Sequence, residues 1–114
     1  MGGGKGGNFG RTKGREKKIY SESSKNSALR NIDKLPKKIQ KGVKSFFKGS
    51  SNNYNSYTIL SNSDGTYTVI MTNPGRVPGS KAIYYKFIDS NGKTLRVYKE
   101  SYDPYGNLIH RKEK

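Results

Sequence analysis

Two spacings of apolar residues divide the chain. In LPKKIQKGVKSFFKG, Leu35, Ile39, Val43, Phe46 and Phe47 recur at helical spacing with lysines on the opposite side. Pro36 suits a first helical turn, and Gly49 can close the helix. Helical signals start near Ser24 and run to Lys48. A lysine-rich amphipathic helix can lie on a membrane, but in a short domain its role is to cover a sheet. From Asn53 onward the pattern turns to alternation. SYTILSN, TYTVIMTN, AIYYKFIDS, KTLRVYKES and NLIHRKEK are rich in Tyr, Ile, Val and Thr, as strands are. NSDGT, DSNGK and DPYGN each hold a glycine in the same place, which fits a three-residue hairpin loop with a left-handed glycine. PGRVPGSK is longer and makes an open surface loop. The expected architecture is α+β, with N-terminal helices over 24–48 packed on a four- to five-stranded antiparallel sheet of consecutive hairpins over 56–112.

The hairpin loops set an expected register. If Asp89 pairs with Lys93, then Phe87 lies opposite Leu95, Tyr85 opposite Val97 and Ile83 opposite Lys99. The helix near 36–48 is then expected on a sheet face made of Ile83, Tyr85, Phe87, Leu95, Val97 and Ile109. The same rule at DPYGN pairs Ser101 with Ile109 and Glu100 with His110. Tyr84, Lys86, Arg96, Tyr98, Glu100, Tyr102, His110 and Lys112 would share the opposite, polar face.

Composition narrows what such a fold can do. Only 30% of the 114 residues are hydrophobic, so one modest core is all the chain can bury. Residues 1–23, rich in glycine and basic side chains, read as a flexible leader outside it. That leader contains no GxxxxGK[ST] pattern, so its glycines do not describe a nucleotide loop. With 23 Lys and Arg against 8 Asp and Glu, the net charge of +15 points to a polyanion or an acidic protein as partner. The absence of cysteine removes disulfides, thiolate nucleophiles and thiolate metal sites. No stretch is apolar over the length that spans a bilayer, and no signal peptide opens the chain.

His110 is the single histidine. On the expected polar face it meets Glu100 among cations and tyrosines, which suits RNA cleavage by attack of the 2′-hydroxyl. That reaction needs a base for the 2′-proton, an acid for the departing 5′-oxygen and cations for the phosphate. Glu100 would be the base and His110 the acid, with Lys86, Arg96 and Lys112 as phosphate clamps. Tyr84 and Tyr98 would offer stacking platforms, and Tyr102 and Lys99 further substrate contacts. The scheme calls for no metal and no cofactor. An ordinary surface ion pair between Glu100 and His110 is the competing explanation.

The segment PGRVPGSKAIYYKFIDSNGKTLRVYKESYDPYGNLIHRKEK resembles the C-terminal toxin domains of bacterial polymorphic toxins, the nuclease tips of LXG-type and contact-dependent systems. It is similar to those sharing the helix-plus-sheet fold of barnase, EndoU, colicin and RelE ribonucleases. The resemblance covers the last third of the chain and rests on short hairpins, a basic sheet and a late histidine. It implies a metal-independent ribonuclease, monomeric when free and neutralised in its producer by a cognate acidic immunity protein. It also implies secretion as part of a larger toxin, with a delivery domain upstream of the leader, and action in the target-cell cytoplasm. Catalytic residues vary within that family, so His110, Lys86 and Arg96 carry over as candidates and Glu100 does not.

Two other classes fit parts of the pattern. A metal-dependent deoxyribonuclease wants several carboxylates and histidines together, whereas Asp89 and Asp103 are expected to serve turns. A non-catalytic module could bind single strands on a basic sheet with exposed tyrosines.

Overall fold

The computed structural model describes residues 16–49 and 54–113. It begins with a strand, β1 (Lys17–Glu22), in a stretch that composition assigns to the leader. Helix α1 (Lys25–Arg30) follows, its N-cap Ser24 side chain accepting from the Ser27 N–H. A 3₁₀ turn (Ile32–Lys34) leads to Pro36 and helix α2 (Lys37–Gly49). Then come β2 (Ser56–Ser61), β3 (Tyr67–Pro74), β4 (Lys81–Ile88), β5 (Thr94–Tyr102) and β6 (Leu108–Glu113). All six strands form one antiparallel sheet in chain order, so the fold is α+β with six strands rather than four or five. The extra one is β1. Its KKIYSE sequence has only two large apolar residues, too few for alternation to separate it from the basic leader.

The three glycine turns have the expected geometry. Asn62, Asp89 and Asp103 each donate their N–H to the carbonyl four residues on, and accept from the glycine three residues on. Gly65, Gly92 and Gly106 have φ near +90°, a conformation that glycine adopts without steric cost.

The helices cover only part of one sheet face. Ile39, Val43 and Phe47 of α2 are fully buried, and so are Tyr57, Ile59, Val69 and Ile88 beneath them; the Phe47 ring meets Tyr57 edge-on at 5.2 Å. On the α1 side the Tyr20 hydroxyl donates to the Ala28 carbonyl at 2.8 Å. Fully burying each large apolar side chain stabilises the fold by about 1.5–3 kcal/mol, so this seam holds the molecule together.

The face under the helices is not the expected one. Tyr57, Met71, Tyr84, Lys99 and Lys112 form one cross-sheet row, and Ile59, Val69, Lys86 and Val97 the next. The helices therefore rest on the parity of Tyr84, Lys86 and Ile88, and Ile83, Tyr85 and Phe87 point to the other, outer face. Pairing with β3 sets the parity of β4, with Met71 opposite Tyr84 and Val69 opposite Lys86, and two β-bulges then regroup β5 and β6 against it. Phe87 pairs with Arg96 and Ile88 with Thr94, leaving Leu95 as an extra residue, 53% exposed. Ser101 pairs with His110 and Tyr102 with Leu108, leaving Ile109 as the second, 63% exposed. Each bulge shifts the strand beyond it by one residue and exchanges its faces. Of the six residues expected beneath α2, Val97 alone has the parity of the helix-covered face without sitting in a bulge.

Candidate functional site

The residues singled out from sequence are divided between two faces. Glu100 pairs with Arg111 and not with His110, so the expected Glu100–His110 pair does not form. The inner face, on the helix side, receives His110, Lys86, Lys99, Lys112 and Tyr84. The outer face receives Glu100, Arg96, Tyr98 and Tyr102, together with Arg111.

On the outer face the charges are internally matched. Glu100 is 5% exposed; its carboxylate accepts from Arg111 Nε at 3.0 Å and from the Tyr102 hydroxyl at 2.8 Å. Burial alone would raise its pKa, but Arg111, Tyr102 and Tyr85 together hold it below the ordinary carboxylate value. Arg96 forms an ion pair with Glu113 at 2.5 Å and lies 4.3 Å from the centre of the Tyr98 ring. Tyr98 in turn stacks on Tyr85 at 4.7 Å. Both arginines thus have carboxylate partners, and the arrangement ties β6 to β5.

On the inner face they are not matched. Lys99 stands directly opposite Lys112, and His110 is two residues from Lys112 on the same side of β6. Like charges directly opposite one another destabilise a strand pair. None of the eight acidic residues reaches this patch. Asp64, Asp89 and Asp103 accept hydrogen bonds within their own turns, Glu100 and Glu113 lie on the outer face, and Glu22 bonds Asn31. Asp33 lies in the 3₁₀ turn, and Glu16 precedes β1, at the opposite edge of the sheet from β6. His110 is exposed, and its side chain makes no hydrogen bond or ion pair among the described residues.

Toward the helices the same row becomes aromatic. Lys99 Nζ lies 5.4 Å from the centre of the Tyr84 ring, and Tyr84 meets Tyr54 edge-on at 5.5 Å. Lys86 is half-buried against α2, with Nζ donating to the Gly42 carbonyl at 3.1 Å, and burial lowers its pKa. That contact makes Lys86 a strut between sheet and helix, set back from His110.

Beside the patch, at the β4 N-terminal end of the sheet, lies a groove of about 740 Å3. Arg76 and Lys81 bring two further cations to it, Lys99 is shared with the patch, and Val77 and Ile109 supply apolar wall. Arg76, Lys81 and Arg111 were not among the sequence candidates. The first two stand in PGRVPGSK, where a cation on each side of a tight loop is a readable signal. Arg111 follows His110 directly, and only the bulge reveals its partner.

Among the described residues no group of three or more His, Asp or Glu could hold a metal ion, and no helix is long and apolar enough to cross a membrane. The fold and site together define a small α+β protein with a half-covered sheet and a cationic inner face around one histidine. No family model, curated protein or solved structure matches the chain.

Proposed function

We propose that the chain is a ribonuclease whose substrate lies on the uncovered inner face, with His110 as the proton carrier and Lys99 and Lys112 as the phosphate clamp. The observation that carries this reading is the directly opposed Lys99–Lys112 pair beside His110, with no acidic side chain paired to either lysine among the described residues. A cross-strand repulsion of this kind costs stability, and a phosphate between the two ammonium groups relieves it. His110 takes the 2′-hydroxyl proton as that oxygen attacks the adjacent phosphate. The 5′-oxygen leaves with a proton from a neighbouring ammonium, which solvent restores. The products are a 2′,3′-cyclic phosphate and a free 5′-hydroxyl. Tyr84, beside Lys99, is the aromatic surface for a flanking base. Glu100 has no part in the proton transfer, because it occupies the other face and is taken up by Arg111 and Tyr102.

In this reading the chain is the toxic tip of a larger secreted protein and acts in the cytoplasm of a target cell. Its producer holds an acidic immunity protein that covers the His110 face, drawn by the charge of +15. The test is incubation of the purified chain with total RNA and with plasmid DNA, with and without chelator. RNA cleaved to cyclic phosphate ends in chelator, with plasmid intact, is the expected result. Plasmid degradation that chelator stops would point to the metal-dependent alternative, and binding without cleavage to the non-catalytic one.

A further inference from the structure

The groove beside the cationic patch has features that phosphate binding does not require. We infer that it is a nucleotide subsite, seating the base of the residue next to the phosphate held at Lys99. This deepens the ribonuclease reading and rests on it for the placement of the scissile phosphate.

Three observations converge on a ligand that is part anion and part flat apolar ring. The first is shape: about 740 Å3 lies within the range of small-molecule sites, ample for one nucleotide. The second is the distribution of exposed apolar side chains. Val77 is 57% exposed and Ile109 63%, yet both line this groove. Ile109 is the extra residue of the β6 bulge, and bulges re-aim side chains. The third is charge: Arg76, Lys81 and Lys99 line the groove, and its only carboxylate, Asp103, is occupied by the N–H groups of Tyr105 and Asn107 and the Asn107 amide. Asn73 adds an amide with both donor and acceptor, the pair needed to read a base edge.

The wall is also held in shape before any ligand arrives. Gly75 donates its N–H to the Ser80 carbonyl at 2.9 Å, and the Ser80 hydroxyl donates to the Val77 carbonyl at 2.6 Å. Gly79 has φ +89°, and a side-chain carbon there would lie 3.1 Å from Pro104 Cβ, so the loop abuts the β5–β6 turn. A preformed wall loses little freedom on binding.

The experiment is an NMR titration of the full chain with the four 3′-nucleoside monophosphates and, separately, with inorganic phosphate. Nucleotides should bind more tightly than phosphate and shift resonances of Val77, Asn73 and Ile109. The double variant Val77→Asn, Ile109→Asn should weaken nucleotide binding about tenfold and leave phosphate binding unchanged. Arg76→Gln should weaken both ligands. Nucleotides that bind no better than phosphate, or equally well to the double variant, would reduce the groove to a general anion surface and overturn the inference. Binding is read without cleavage. A chain that seats nucleotides but leaves RNA intact would refute the ribonuclease reading and keep the subsite. A chain that cleaves RNA but treats nucleotides like phosphate would do the reverse.

Discussion

His110 and Glu100 sit on strands that are direct neighbours, yet a single extra residue at Ile109 sends them to opposite faces and into different surroundings. His110 is exposed, so replacing it by alanine should change stability by no more than about 0.5 kcal/mol. The same change should lower RNA cleavage by about a hundred- to ten-thousandfold, read by a fluorescent substrate beside a denaturant melt. Glu100 should behave in the opposite way. Its folded pKa is held below the ordinary value of 4.5 while the unfolded chain titrates near it, so it stabilises the fold above that value. The contribution is lost as pH falls from there through the folded pKa. Glu100→Gln should therefore cost about 1–2 kcal/mol at neutral pH, flatten the acid limb of the stability curve and leave cleavage within about threefold of wild type. Denaturation at a series of pH values checks the sign. A Glu100→Gln chain that is stable but inactive would return the carboxylate to the chemistry.

At the level of elements, the helices and hairpin turns were legible because their signals are local. Ile39, Val43 and Phe47 repeat at helical spacing, and the glycines at 65, 92 and 106 mark left-handed turn positions. The two bulges were not legible, for a reason visible in β4 and β5. Helix cover reaches Ile88, which is fully buried, but over residues 83–87 both faces of β4 are only partly buried, Tyr84 and Tyr85 alike, so alternation there favours neither parity. An unforced register left the expected grouping wrong, since Glu100 pairs with Arg111 and His110 with Ser101. The turns themselves make a clean comparison. A side-chain carbon at Gly92 would run into the Lys38 backbone, whereas at Gly106 it meets open space. Gly106→Ala should cost about 1 kcal/mol from backbone strain alone, and Gly92→Ala at least about 2, measured by denaturant melts. The β5–β6 pair offers a sharper test. Lys112→Glu would set opposite charges across from each other at Lys99, raising stability by about 0.5 kcal/mol while cutting RNA cleavage by roughly tenfold or more. A loss of both, or of neither, would break the link between repulsion and function.

The whole chain carries +15, and within its sheet the outer face pairs Arg96 and Arg111 with carboxylates, whereas Lys99 and Lys112 on the inner face have no such partner among the described residues. Association with RNA, and with an acidic immunity protein, should therefore slow steeply as salt rises, while dissociation changes less. Tyr98 and Tyr102 lie on the outer face, so they are poor anchors for a partner that must shut the His110 side, and Tyr84 is better placed. The central claim is that chemistry belongs to the inner face. Its most direct test is cleavage of one defined RNA, with end-group analysis, by wild type, His110→Ala and Glu100→Gln at matched fraction folded. The account predicts cyclic phosphate products from wild type and Glu100→Gln and none from His110→Ala. Activity retained by His110→Ala and lost by Glu100→Gln would contradict it and move the site to the outer face.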